Sequence, residues 1–351
     1  MSSLAALIAP FETPRVLDLK VADVAIRVLS NDLEIHTRLS GYYAPYVTLG
    51  GGRPRLVVSL IQGRPPAQGD FRDVVRPGGR RVKEAIRNAN GGRLILKRAT
   101  RVLMGLLPDR AFAVGDLRTN LNQGINLINA VYAKAMLRRG HVLFHASAVS
   151  WRGQSVVLAG PPGAGKSTAA LHCVEQGFRF VSNDRVLAKL RARVVEVLGY
   201  PKQPRVNPGT LLTHPRLASL LSPEDRTSLS AMSTDDLWHL ERKSDVDLDA
   251  VYGPGTVDLL ARMRALVLLR WRRHGGDVRM RPLEVSEALA CLPLFYKDLG
   301  AFDLDLQPGG LAPEDVQRRY RALLTRVTLV EVSGSPDFSR LVKLVSDLLG
   351  R

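Results

Sequence analysis

Apolar residues Val21, Val24, Ile26 and Val28 fall near every second position, and this alternation predicts a strand over residues 21–28. Ser30-Asn31-Asp32 then offers helix-capping side chains, so a short helix is expected from there to about Tyr46. A second β-branched, apolar run over 55–62 lies between Gly50-Gly51-Gly52 and Gly63-Arg64-Pro65-Pro66, and reads as a strand between two loops. Asn90-Gly91 can supply the positive φ angles of a tight turn, joining 81–87 to 93–99 as a hairpin. The period then changes. Leu121, Ile125, Ile128, Tyr132 and Ala135 recur at helical spacing behind a cap at Thr119 or Asn120, and Gly140 follows the end. That helix is expected to pack against the sheet that follows, with a domain boundary near 138–141; the same stripe also suits a helix integral to the second domain.

Beyond the boundary, strand and helix patterns alternate. Residues 155–159 read as a strand, 166–176 as a helix closed by Gly177, and Ala265-Leu266-Val267-Leu268-Leu269 as a buried strand within 259–271. Residues 284–296 and 313–327 read as helices, 328–333 as a final strand and 338–349 as a terminal helix. Trp238, Trp271 and Phe295 read as core or interface residues rather than a base-stacking platform. The expected organisation is a smaller β-rich α+β domain over 1–138, followed by an α/β domain over 139–351.

At the join of the 155–159 strand and its helix stands Gly160-Pro161-Pro162-Gly163-Ala164-Gly165-Lys166-Ser167-Thr168, a match to the phosphate-binding pattern GxxxxGK[ST] in the strand–loop–helix context it requires. Glycines let backbone N–H groups close on phosphate oxygens, and the open amides of the helix start add the positive end of its dipole. Gly160, Gly163, Ala164, Gly165, Lys166, Ser167 and Thr168 are therefore the expected nucleotide-binding residues. Lys166 is expected to reach the outer phosphates and Ser167 to offer its hydroxyl to Mg²⁺, with Thr168 an ordinary first-turn helix residue. ATP and Mg²⁺ are the cofactors this implies.

The 351 residues, 45% of them hydrophobic, exclude a disordered chain and allow a sizeable core. A formal net charge of +17 raises the question of a polyanionic partner, but the arginines are spread through every segment and no nucleic-acid-binding signature appears. Arginine-rich solvated faces together with an anionic substrate are the favoured account. The 2 cysteines, Cys173 and Cys291, give neither a disulfide framework nor metal-ligand spacing. No run of apolar residues has the length of a membrane span and no basic region precedes the first apolar residues, so a soluble, cytoplasmic protein is expected, with homo-oligomerisation left open.

The segments His141-Val142-Leu143-Phe144-His145-Ala146-Ser147-Ala148-Val149, the glycine loop with its helix, and Phe178-Arg179-Phe180-Val181-Ser182-Asn183-Asp184-Arg185-Val186 together resemble the HPr kinase/phosphorylase family. That family has an upstream strand carrying a His, a P-loop, a helix ending in Gly and a strand ending in two acidic residues. Its nucleotide-binding domain is similar to that of phosphoenolpyruvate carboxykinase. Pro201–Thr210 and Lys243-Ser244-Asp245-Val246-Asp247 look similar to the bacterial subgroup of HprK-related kinase B. The resemblance implies an ATP-dependent transfer of the γ-phosphate to a hydroxyl of a small protein, a peptide or a metabolite.

Within that frame Asp184, at the end of a strand beside the P-loop strand, is the expected metal-side carboxylate alongside Ser167. His145 is expected to hydrogen-bond a phosphate or position the acceptor, unless it is simply a satisfied core histidine; His172 and His214 are weaker candidates. Where the family has a first aspartate, commonly its base, this chain has Asn183, which cannot take a proton. Either Asp184 doubles as base, or His145 serves, or the acceptor needs none. Lys202 and Arg205, in a proline-constrained loop, are candidates to clamp a phosphate or carboxylate. No match to the family's phosphorolysis segment follows Leu198, so that activity is not expected. Two other readings remain: a non-catalytic nucleotide-gated binding module, and a nucleic-acid-dependent ATPase. Residues 1–138 are the expected acceptor-recognition part.

Overall fold

Asp32 accepts a hydrogen bond from the Ile35 amide at 2.9 Å and caps a helix over Leu33–Tyr42, so the predicted capping signal is used as read. This computed structural model describes residues 4–48, 56–67, 69–75, 82–89, 91–233, 236–237, 240, 242–272, 275–304 and 312–351. The described residues form two compact units, Met1–Arg139 with Asp298–Leu311, and Gly140–Lys297 with Ala312–Arg351. Both are mixed α/β.

The first unit is built on an eight-stranded sheet in the order Arg15–Val21, Val24–Ser30, Leu56–Gln62, Arg110–Gly115, Leu103–Leu106, Gly92–Lys97, Glu84–Ala89, Arg72–Asp73. Leu56–Gln62 runs parallel to both neighbours, and the other pairs are antiparallel. The run read as one strand over 21–28 is in fact a turn between two: Ala22 has φ +50° and Val21 pairs with Val24. Val24, Ile26 and Val28 face the core in strict alternation, which is why the period-2 signal survived the misplaced boundary. Asn90 and Arg81 of the expected hairpin lie outside the described residues. The flanking strands do pair, Ala89 with Gly92, and Gly91 has the positive φ of +76° that the turn chemistry anticipated.

The Leu121–Arg138 helix does not pack where the sequence suggested. It lies on the first sheet: a Cβ at Gly124 would meet Leu60 at 2.9 Å, so the glycine permits the helix to approach that strand. Residues 298–304 also return to this unit, because Arg93 donates to the carbonyls of Ala301 (3.1 Å) and Asp303 (2.7 Å) and Lys97 lies over the Phe302 ring. A single cut near 138 therefore separates that segment from its unit.

The second unit carries a ten-stranded sheet whose order runs Arg179–Ser182, Ala146–Trp151, Gln154–Ala159, Leu260–Leu269, Val194–Leu198, Val186–Arg191, Val142–Phe144, Tyr296–Lys297. Along one edge of Leu260–Leu269, its start pairs with Val194–Leu198 and its end runs parallel to Thr328–Ser333, which also pairs with Arg279–Pro282. Leu260–Leu269 is parallel to Gln154–Ala159, and its last five residues are all buried, consistent with the continuous apolar run read as an interior strand. Helices Lys166–Glu175 and Phe338–Leu349 pack with these strands in one core that includes Ala169, Cys173, Leu341 and Val345.

Two segments of this unit differ from the sequence expectation. The helix expected over 284–296 is short, Val285–Ala290, followed by a 3-10 turn at Leu292–Leu294 and the strand Tyr296–Lys297; Pro293 lacks the amide an α-helix needs and ends it. The Arg179–Ser182 strand pairs with Ala146–Trp151, so it stands one strand away from Gln154–Ala159, the strand that leads into the glycine loop, rather than beside it. Trp238 lies outside the described residues. Among those described, no helix is long and apolar enough to cross a membrane.

Candidate functional site

The loop between Gln154–Ala159 and Lys166–Glu175 is shaped by three glycines at positive φ: Gly160 (+152°), Gly163 (+81°) and Gly165 (+73°). A Cβ at Gly160 would come 2.5 Å from the Leu269 carbonyl, and one at Gly165 would press on the Phe338 ring at 3.2 Å, so the loop's backbone lies flush against its neighbours. A Cβ at Gly163 would meet nothing within 4 Å, which puts open space at the crest of the loop. Trp271 fixes the remaining corner, donating its indole N–H to the Ala164 carbonyl at 2.7 Å. Its role as an anchor of this loop was not legible; the two residues are 107 apart in the chain.

Lys166 begins the helix with its side chain buried, and its ammonium donates to the carbonyls of Gly160 and Pro161, each at 2.9 Å. Burial pushes its pKa down to about 8, with Lys297 and Lys243 pushing the same way and Asp184 opposing. The lysine is thus protonated near neutral pH, and its charge rests on loop carbonyls that phosphate oxygens can replace. The amides of a helix's first turn have no partner within the helix, so the same place offers N–H donors to an anion. Thr168 points elsewhere: its hydroxyl meets that of Thr210 at 2.9 Å.

Ser167 and Asn183 come together across 16 residues of chain, the Asn183 side-chain amide donating to the Ser167 hydroxyl at 3.3 Å. Asp184 follows in a bend with φ +63°, a left-handed conformation uncommon for a residue with a side chain. The bend is held by the Arg185 amide on the Asn183 carbonyl (2.7 Å) and by the Ser182 hydroxyl, which donates to the Arg185 carbonyl (2.6 Å) and accepts from the Tyr200 amide (3.1 Å). Asp184 keeps 57% of its side chain exposed, within 3.9 Å of the Lys297 ammonium and 3.6 Å of the Arg185 guanidinium. Its crowded surroundings favour protonation, but Lys297, Arg185, His145 and Lys202 outweigh them and hold its pKa below the usual value.

His145 is not on a strand. It occupies the break between Val142–Phe144 and Ala146–Trp151, with its amide on the Phe295 carbonyl at 2.7 Å and Nδ1 3.2 Å from the Lys297 ammonium. Burial, then Lys166 and Lys297, push its pKa down to about 4. Nothing in the sequence singles out Lys297, which reaches His145 from 152 residues away, or Arg185, whose guanidinium lies beside the Asp184 carboxylate.

Arg205 is committed to a local contact. On the Arg205–Val206 strand it pairs with Asp245 at 3.1 Å and donates to the Lys243 carbonyl at 3.0 Å. Burial lowers the Lys202 pKa, and Asp184 is among the charges that act on it, which makes Lys202 the member of that loop electrostatically coupled to the site.

His172 and His214 lie outside the group around Lys166, Asp184 and His145. Their rings meet at 5.0 Å, and the His172 ring stacks on Phe338 at 4.9 Å. Burial lowers both pKa values; proximity of His214 adds to the effect on His172, while Glu175 opposes it at both. Because the folded values lie below the unfolded one near 6.5, this contribution to stability is complete above that pH and is lost as pH falls through the window beneath it. Urea unfolding should therefore show a smaller loss of stability between pH 7.5 and pH 5 in His214→Phe than in the unmodified protein; equal losses would contradict this.

No protein-family model matches the chain, and no curated protein matches it. Among solved structures, the HPr(Ser) kinase/phosphatase from Coxiella burnetii is similar over 59% of this chain and 93% of its own, with 10% sequence identity and a TM-score of 0.28.

Proposed function

We propose that this protein is an ATP-dependent phosphotransferase of the P-loop type, moving the γ-phosphoryl group to a hydroxyl of a protein, a peptide or a small metabolite. The observation that carries this reading is the Lys166 ammonium resting on the carbonyls of Gly160 and Pro161, in a glycine loop that opens at Gly163 and leads into a helix. The sequence resemblance to the HPr kinase/phosphorylase family, over residues 141–190, supports the same class of reaction.

In this reading the loop amides and Lys166 hold the phosphates and neutralise charge on the transferred group, where positioning and electrostatics dominate the barrier. Among the described residues no group of three His, Cys, Asp or Glu side chains forms a metal cluster. Mg²⁺ bound with nucleotide does not need one, since a hydroxyl, a carboxylate, phosphate oxygens and water suffice. The Ser167 hydroxyl and the half-exposed Asp184 carboxylate fit that donor set. Mg²⁺ would supply charge neutralisation across the β- and γ-phosphates. The acceptor oxygen forms its bond to phosphorus as the bond to the bridging oxygen of ADP breaks, and the acceptor proton goes to Asp184 or to solvent. Asn183, held on Ser167, contributes orientation and no base.

The first unit, on this proposal, helps to choose the acceptor. Ser167→Ala tests the metal side directly: Mg²⁺ should enhance ATP binding, followed by calorimetry, much less in the variant than in the unmodified protein. An unchanged Mg²⁺ response would remove Ser167 from the metal's surroundings, and no ATP binding by the unmodified protein would overturn the reading as a whole.

A further inference from the structure

Lys297 and His145 are set by one ladder. Lys297 pairs with Leu143 and Tyr296 with Phe144, while the Phe295 carbonyl takes the His145 amide at 2.7 Å. Below that ladder the Phe144 and Phe295 rings stack at 5.7 Å, and the buried Tyr320 hydroxyl donates to the Leu143 carbonyl at 2.5 Å. Backbone pairing and aromatic packing, rather than a loose loop, therefore bring the two side chains together.

An ammonium group only donates, so in the 3.2 Å contact between Lys297 Nζ and His145 Nδ1 the imidazole is the acceptor. A neutral imidazole that accepts at Nδ1 carries its proton on Nε2. Its one basic nitrogen is then occupied, and what it has left to offer is the Nε2–H. We infer that Lys297 is a positioning residue, fixing His145 as a neutral Nε2–H donor toward the anion held over the glycine loop and closing it off as a base. This rests on the phosphotransferase reading above. Lys297 also stands 3.9 Å from Asp184, so one ammonium orients the histidine and borders the carboxylate. The low proton affinity of His145, to which Lys166 and Lys297 both contribute after burial, agrees with a donor that works uncharged.

The test uses the full chain with ¹⁵N-labelled histidine. Its 7 histidines keep the imidazole spectrum tractable, and loss of a signal in His145→Gln assigns the residue. The unmodified protein should show His145 protonated on Nε2 and bare on Nδ1. Lys297→Met should shift that tautomer balance and lower kcat for Mg²⁺-dependent ATP turnover by about 10- to 100-fold with little change in KM, the scale of losing a partner that orients a functional histidine. Lys297→Arg, which still donates, should keep the tautomer and recover much of the rate. An unchanged tautomer in Lys297→Met overturns the inference, as does an unchanged kcat beside an inactive Lys166→Ala. If Lys166→Ala itself turns over ATP normally, the phosphotransferase reading fails instead.

Discussion

Replacing Lys166 with alanine should reduce Mg²⁺-dependent phosphoryl transfer by at least about 10²–10³-fold, the cost of removing one preorganised donor from developing charge. The expectation is this large because no other described cation rests on the loop's own carbonyls; Lys297 and Arg185 are disposed around Asp184 instead. Alanine leaves the Gly160 and Pro161 carbonyls without their donor, a cost to the fold of about 1 kcal/mol per hydrogen bond. Thermal unfolding measured in parallel separates that modest loss from the loss of turnover. Lys166→Met, which fills the buried space, should be equally inactive. Full activity in either variant would contradict the assignment.

Asp184→Asn should be the second severe change, lowering Mg²⁺-dependent turnover by about 10²-fold or more through loss of the negative charge proposed to face metal and phosphate. The substitution is clean for a backbone reason. Asp184 has φ +63°, and asparagine is among the residues that tolerate this left-handed conformation best. The bend itself hangs on Ser182, Arg185 and Tyr200 main-chain and hydroxyl contacts, none of which uses the Asp184 carboxylate. The folded protein should therefore persist while Lys297, Arg185 and Lys202 lose their common counter-charge. Steady-state turnover against Mg²⁺ concentration reads the result; an unchanged Mg²⁺ profile would show that Asp184 is only a turn residue.

What could be read in advance was local. Strand, glycine loop and helix follow one another within about twenty residues, so the order of these elements and the glycine turn between them are legible from spacing alone. The Asp32 cap and the alternation of Val24, Ile26 and Val28 were legible for the same reason. The parts that escaped depend on pairing across long stretches of chain. Lys297 joins the site because Tyr296–Lys297 completes a sheet edge begun at Val142–Phe144, and nothing in either segment names the other. Trp271 looked like core and is core, but its indole N–H also ties down Ala164. The misread helix over 284–296 shows the opposite failure: Leu289, Leu292 and Phe295 keep a helical period, yet Pro293 between them breaks it. The sequence pattern puts Asn183-Asp184 at a strand end, whereas the strand stops at Ser182 and the chain bends there, with Asn183 on Ser167.

The central claim is transfer of the γ-phosphoryl group to an acceptor. The measurement that tests it most directly incubates the full chain with γ-labelled ATP and Mg²⁺ against a cell lysate separated into protein and small-molecule fractions, with Lys166→Ala run beside it. The account predicts label leaving ATP for a protein band or a metabolite, dependent on Mg²⁺ and absent with Lys166→Ala. Tight ATP binding with no label reaching any acceptor in any fraction would contradict it, and would make the loop the nucleotide-sensing part of a binding module.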